Sequence, residues 1–442
     1  MKVLEMVHGI IWGPWTVGVF LVVGLVLSVR CRFFQIRGFR YWWKATAGSL
    51  WGEEREGDES TGAAGAHHGI TQFQSVCTAL AATVGTGNIA GVAAALVSGG
   101  PGAVFWMWIS ALIGMATAYG ETYLGVRYRF KNNRGKWICG PFVYMKKGLG
   151  IPFMAACYSF FCFLCALGMG SMVQANSAAE TLEFTWGIPS VLGSGILALL
   201  TGAVILGGIK RIGKAAEYLL PLASGIYILF SLLVLLLCAD RIPDAFLRIF
   251  QSAFGIRQVS GGIAGFGISK SIRYGISRGV FSNEAGLGTL AVLHGPAEHT
   301  TPEEQGMWAM FEVFFDTVVL CSLTALVILC TTQGDTETLS LTGAALAAAC
   351  FSAKLGVIGE WFISISMVVA FATVIAWYYL GQQAIEDLSL FSRIYPVLFL
   401  GAVFAGGCIR LEAVWMLSDL WNGLMAFFNL TALLFLTGEV EY

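Results

Sequence analysis

Long apolar runs alternate with short polar stretches along the whole chain, and most runs reach the roughly 20 residues that a helix needs to cross a bilayer. They predict spans near 10–30, 72–98, 103–126, 153–179, 188–208 and 216–238. The second half adds 244–270 with an interruption, then 305–330, 357–384, 394–409 and 412–436. The pattern therefore predicts an all-α membrane protein with about 11 transmembrane helices. The first run is read as a retained helix. It lacks the usual charged n-region and A-x-A cleavage pattern and exceeds an h-region in length. Trp12 and Trp15 suit interfacial anchors.

Composition agrees with lipid as the main solvent and with a multi-pass protein of the cell membrane. Of 442 residues 57% are hydrophobic and 12% charged, against about 25% charged in soluble domains. A net charge of −1 leaves no electrostatic footprint for nucleic acid. Most of the eleven cysteines, including Cys157, Cys162, Cys165, Cys238, Cys321 and Cys330, lie in apolar runs without paired spacing. They read as buried thiols.

Basic residues set the orientation. With the N-terminus outside, the internal loops hold six Lys or Arg in 30–70, seven in 127–152, three in 208–216, three in 266–304 and one in 382–393. Six remain outside: Lys2, Arg241, Arg248, Arg257, Lys354 and Arg410. The expectation is N-out and C-in. The polar, glycine-rich stretch Gly52–Gly69 reads as a cytoplasmic loop, and Asp335–Leu346 as an external loop with room for a short helix.

One span contradicts itself. Thr78–Val97 is long and apolar but carries Val84-Gly-Thr-Gly-Asn88 at its centre. Lipid satisfies no backbone hydrogen bonds, so an unwound stretch at that depth implies a ligand or ion beside it. The second half carries Val259-Ser-Gly-Gly-Ile-Ala-Gly-Phe-Gly267, read as a matching interruption. Interrupted helices at corresponding positions of two halves point to a midplane site in an inverted-repeat transporter. The competing reading is close helix packing through small residues, which is adopted for Gly114 and Gly401. The spacing Gly85-x-Gly87-x-x-Ala90 also fits a dinucleotide fingerprint, but no strand flanks it.

Several longer stretches carry a resemblance. They are Thr83–Val92, Gly99–Trp108, Gly114-Met-Ala-Thr117, Ser271–Gly288, Met310–Thr317 and Leu323–Leu329. Together they resemble the alanine/glycine:cation symporter family from the first helix to Asn429. The resemblance implies a LeuT-like five-plus-five inverted-repeat core behind one extra helix. It divides the chain into 1–70 (extra helix and loop), 71–238 (first repeat) and 239–442 (second repeat). It also implies secondary active uptake of alanine or glycine with Na⁺ as coupling ion, and no organic cofactor.

Site residues follow from the break and from this resemblance. Amides at the N-terminus of a continuing half-helix suit a carboxylate, which nominates Thr86 and Gly87. Carbonyls that end the preceding half-helix suit a hard cation, and by resemblance these are Ala81 and Val84. Thr83 and Asn88 are candidates for a second ion. In Val369–Trp377 the resemblance places Val369, Ala370 and Thr373 at the sodium, with Ala372 standing where relatives carry a hydroxyl. Trp377 is expected to wall a pocket for small side chains, with Gly170 and Gln174 in the fourth span and Gly261, Gly262 and Phe266 in the seventh. The bland alternatives are an interfacial or packing tryptophan and a helix–helix glutamine.

Intramembrane acids need partners. Glu121 is expected to pair near Arg127, and Glu312 and Asp316 with Arg273 or Arg278, leaving Glu217 and Asp419 unassigned. His294-Gly-Pro-Ala-Glu-His299 reads as a solvated loop. A proton-coupled symporter, an uncoupled facilitator or channel for small polar solutes, and a membrane enzyme are the alternative functions. The five histidines cluster in no span, which disfavours the enzyme.

Overall fold

The computed structural model describes residues 11–50, 69–255, 261–332, 341, 343–369, 371–386, 389–409 and 411–442. Among these residues, six helices are long and apolar enough to cross a membrane: Gly102–Tyr128, Pro152–Trp186, Gly208–Leu237, Pro302–Thr331, Val357–Ala384 and Val414–Glu439. The bent pair Gln72–Thr83 and Gly87–Gly99 makes a seventh if counted as one span. Trp15–Arg30, Ser190–Ile205, Gly343–Leu355 and Ser392–Gly406 are shorter apolar helices. The loop expected over Gly52–Gly69 lies outside the described residues except for Gly69.

Local chemistry starts the helices where the sequence permits. Thr71 and Gln74 cap each other's backbone amides ahead of Gln72–Thr83, and Thr301 with Glu304 does the same ahead of Pro302, satisfying donors that the first turn leaves free. Proline takes the first helical position at Pro14, Pro152 and Pro302, where its missing N–H costs nothing.

The helices sort into inner and outer positions. Gly102–Tyr128 and Pro302–Thr331 are the most buried spans, whereas Gly208–Leu237 turns Leu229, Leu232, Leu236 and Leu237 outward toward lipid. Gly102–Tyr128 packs along Pro302–Val313 and Gly261–Asn283. Side chains at Gly275 or Gly279 would collide with Ala103, Trp106 and Ser110 of that helix, so small residues four apart let two backbones approach. Gly114 packs similarly, with Ala285 3.1 Å from where its Cβ would be, but Gly401 has nothing within 4 Å. Close packing therefore accounts for Gly114 and leaves Gly401 without that role.

The span expected over 244–270 is corrected. Ile242–Ala253 is a separate helix of 12 residues, about 18 Å long at 1.5 Å per residue and too short to cross. It buries Ala245, Ile249 and Ala253, exposes Phe246 and Leu247, and pairs Asp244 with Arg248 at 2.7 Å. The next helix, Gly261–Asn283, is continuous from its first described residue. Of the interruption expected over 259–267, residues 261–267 are wound, which corrects that part, and 259–260 lie outside the described residues. Of the expected external segment, 335–340 and 342 also lie outside them, and a helix runs from Gly343 to Leu355.

Candidate binding site at two helix breaks

The first break lies where the sequence places it. Gln72–Thr83 ends, Val84 turns extended (φ −78°, ψ 95°), and winding resumes through a π-turn at Gly87–Gly91. The two helical arms diverge by 42°. Thr83, Thr86 and Asn88 are all buried, so every freed polar group needs a partner inside the protein. The Asn88 side-chain oxygen accepts from the Gly85 amide at 3.0 Å, and Gln174 Oε1 accepts from the Thr86 amide at 3.2 Å. Thr83 Oγ1 donates to Leu80 of its own helix, while Thr86 Oγ1 has no partner among the described residues.

The second break lies past the far end of Gly261–Asn283. Glu284 (φ +57°), Gly286 (φ +84°) and Gly288 (φ +81°) turn through left-handed conformations before Thr289–His294 begins. Glycine adopts such angles at no steric cost. Glu121 holds the turn: its buried Oε2 accepts from the amides of Gly286 (3.2 Å) and Gly288 (3.1 Å) and from Asn429 Nδ2 (2.8 Å). The expected pairing of Glu121 beside Arg127 is thereby corrected, since Arg127 faces Glu439 at 3.6 Å. The isolated acid of the sequence is the brace of an unwound segment.

The two breaks touch. A Cβ on Gly87 would stand 3.1 Å from Ser282 Cα, so any side chain there would press the two segments apart by a few tenths of an ångström. Asp316, fully buried in a π-turn at Phe314–Cys321, ties them together. It accepts from Asn88 Nδ2 at 2.6 Å, Ser282 Oγ at 2.8 Å and Thr317 Oγ1 at 2.9 Å. Its expected partners Arg273 and Arg278 do not reach it; Arg278 pairs with Asp419 at 2.9 Å. Glu312 instead faces His294 Nε2 at 3.1 Å, both buried, which corrects the solvated-loop reading for His294. Glu217 accepts from Gln74 at 3.0 Å.

Two further spans complete the site. The fourth widens into a π-turn at Gly168–Val173, a form common at functional sites, and Gln174 follows directly. Gly170 carries no side chain because the Trp377 ring occupies that space. Trp377 is wholly buried and donates its indole N–H to Glu284 Oε1 at 2.9 Å. An interfacial role for this tryptophan is therefore excluded. Gly170→Ala is expected to cost about 1–3 kcal/mol through overpacking, read as a lower melting temperature in detergent with weakened amino-acid binding.

Thr373 Oγ1 donates to the Val84 carbonyl at 3.3 Å, and a Cβ on Gly85 would lie 2.5 Å from the same hydroxyl. The structure thus brings Val84, Gly85, Thr373 and Gln174 together. Ala81 is buried one turn back, in the same half-helix. Val369 ends its helix with its side chain outside the described residues, and Ala370 lies wholly outside them. Gly261, Gly262 and Phe266 are helical, but their surroundings lie outside the described residues; the other end of that helix reaches the first break at Ser282.

Asp316, Ser282, Asn283, Glu284 and Glu121 are the residues that sequence reasoning missed as site components. A signal existed: Ser282-Asn-Glu-Ala-Gly-Leu-Gly288 sets polar residues beside glycines at alternate positions, as Gly85-Thr-Gly-Asn88 does.

The whole of 1–441 matches the family model described as "Sodium:alanine symporter family". The chain is similar to the sodium/alanine symporter AgcS of Methanococcus maripaludis, at 39% identity over 100% of this chain and 95% of that one. It is 34% identical, over 99% of its length and 90% of the other, to a Bacillus subtilis protein named "Probable sodium/glutamine symporter GlnT". Its fold is similar to that of MhsT, solved in complex with L-phenylalanine, with a TM-score of 0.59 and 16% identity, covering 83% of this chain and 89% of that one. The architecture is the LeuT-like inverted-repeat fold of a multi-pass membrane transporter, and the chain belongs to the sodium:alanine symporter family.

Proposed function

We propose that this sodium-coupled amino-acid symporter imports alanine and glycine by alternating access around the two breaks, with the N-terminus outside and repeats spanning 71–238 and 239–442. The observation that carries the reading is the contact of the breaks through Asn88, Ser282 and Asp316. It gathers freed amides, carbonyls and one carboxylate in a single buried place, which is what a zwitterion and a cation require.

In this reading the substrate carboxylate takes the Thr86 and Gly87 amides, displacing Gln174 Oε1 from the first. The coupling ion sits at the carbonyls of Ala81, Val84, Val369 and Ala370 with Thr373 Oγ1. A second cation lies at Thr83 and Asn88 and is neutralised by Asp316. Trp377 limits side-chain size. Steric exclusion rejects bulk, whereas a methylene more or less is worth only about 1–3 kcal/mol. Alanine and glycine should therefore compete closely, and leucine hardly at all.

The test is alanine binding by the purified protein in sodium, lithium and potassium across pH. Binding is expected to require sodium; equal binding in potassium would remove the coupling. Thr373→Ala is expected to raise the half-saturating sodium concentration roughly tenfold, the factor commanded by about 1.4 kcal/mol. Thr431→Ala serves as the control, because the Thr431 hydroxyl is exposed, away from the site, and donates to Phe427 of its own helix at 2.7 Å. Thr324, in a comparable apolar run, is unsuitable: it donates to the Asn88 carbonyl at 2.7 Å and pairs with Tyr227.

A further inference from the structure

Beside the first break lies a cavity of about 40 Å³ whose walls include Val84, Gly85, Asn88, Ser224, Ser366 and Ala372. Its contents are constrained by an imbalance of oxygens. On one side stand the Val84 carbonyl and, beside it, Thr373 Oγ1. Ala372, next to Thr373 on the same helix, offers only a methyl group to the cavity. The outer helix Gly208–Leu237 brings Ser224 to the same cavity; it is 6% exposed and its hydroxyl has no hydrogen-bond partner among the described residues.

The hydroxyls of Thr122, Thr201 and Ser231 likewise have no partner among the described residues, but other buried serines and threonines on helices of this protein bond back to their own carbonyls, as Ser28, Thr78, Thr181 and Ser194 do. Ser224 does not, and a buried hydroxyl left unpaired is costly. The walls are mostly apolar, with Ile89, Leu219, Leu220 and Leu320 among them, and a cavity of this size holds a water only where two or more polar groups meet it. The hydroxyls of Ser224 and Ser366 and the peptide groups of the break meet that condition.

We propose that Ser224 anchors a water which completes the oxygen shell of the coupling cation on the side where Ala372 provides none. This deepens the sodium reading above and rests on it. Ser224 is then a positioning residue for a hard monovalent cation, supplied by a helix outside the two broken ones. The cation meets Val84 and Thr373 directly and Ser224 through the water. Its selectivity against larger ions depends on how firmly that water is held.

The experiment measures alanine binding against sodium concentration for the full-length protein and for Ser224→Ala, Ser224→Cys, Thr373→Ala and the double variant Ser224→Ala/Ala372→Ser. Ser224→Ala is expected to raise the half-saturating sodium concentration about tenfold, with alanine affinity unchanged at saturating sodium. Ser224→Cys keeps shape and burial but offers a poor oxygen substitute, and should show the same shift if Ser224→Ala fails to fold. The double variant returns a hydroxyl to the ion from position 372 and should restore sodium affinity. An unchanged sodium requirement in both Ser224 variants, with Thr373→Ala impaired, would overturn this inference and leave the sodium site standing. No change in any variant, Thr373→Ala included, would overturn both.

Discussion

Asp316→Ala is expected to abolish sodium-driven accumulation of amino acid, and Asp316→Asn to do nearly the same in a protein that still folds. The carboxylate is fully buried and touches only neutral donors, Asn88, Ser282 and Thr317. No Lys, Arg or His pairs with it among the described residues. A carboxylate taken from water without a counter-charge costs several kcal/mol, so a transported cation at this point would offset that cost. Asparagine retains the shape and one acceptor oxygen but removes the charge, which separates folding from ion binding. Uptake by membrane vesicles, with the melting temperature measured in parallel, checks the pair. Full sodium-driven uptake by Asp316→Asn would show that the charge has no part in coupling.

Glu121→Ala is expected to produce the largest loss of stability. One oxygen of Glu121 accepts three N–H groups that have no water to turn to, the amides of Gly286 and Gly288 and the Asn429 side chain. Asn429 alone keeps a second acceptor, the Gly286 carbonyl at 2.9 Å. Each donor left unpaired costs about 1–3 kcal/mol, so the loss should reach several kcal/mol and the second break should lose its shape. Glu121→Gln keeps one acceptor oxygen and should lie between the two. Thermal unfolding in detergent reads the order wild type, Glu121→Gln, Glu121→Ala. Equal stability of all three would show that the brace is incidental.

The first break was legible because its signal is local. A polar glycine pair inside an apolar run of twenty has no other economical explanation, and Thr373, nominated from the family resemblance, lies beside it with its hydroxyl 3.3 Å from the Val84 carbonyl. The second break was misplaced by about twenty residues. Glycine count alone drew attention to 259–267, yet those glycines that are described are helical, as membrane helices tolerate. The left-handed turn at Glu284–Gly288 is held by Glu121 and Asn429, residues 165 and 143 positions away from Gly286. Such long-range bonds leave no mark in local hydropathy. The same holds for Asp316, whose spacing from Glu312 suggested an arginine partner on a shared face. Its actual neighbours come from both breaks. The amphipathic helix Ile242–Ala253 was merged into a span because Asp244 and Arg248 were too few to stand out in a hydrophobic window.

If the two breaks form the transport site, a sodium gradient does work on a small amino acid where they meet. Proteoliposomes containing the purified protein, loaded with potassium buffer and diluted into sodium buffer with labelled alanine, test it most directly. Uptake is expected to rise well above the external concentration, to collapse when sodium is equal on both sides and to be absent in Asp316→Ala. Equilibration of alanine to the external concentration and no further, whatever the sodium gradient, would contradict it and identify a facilitator.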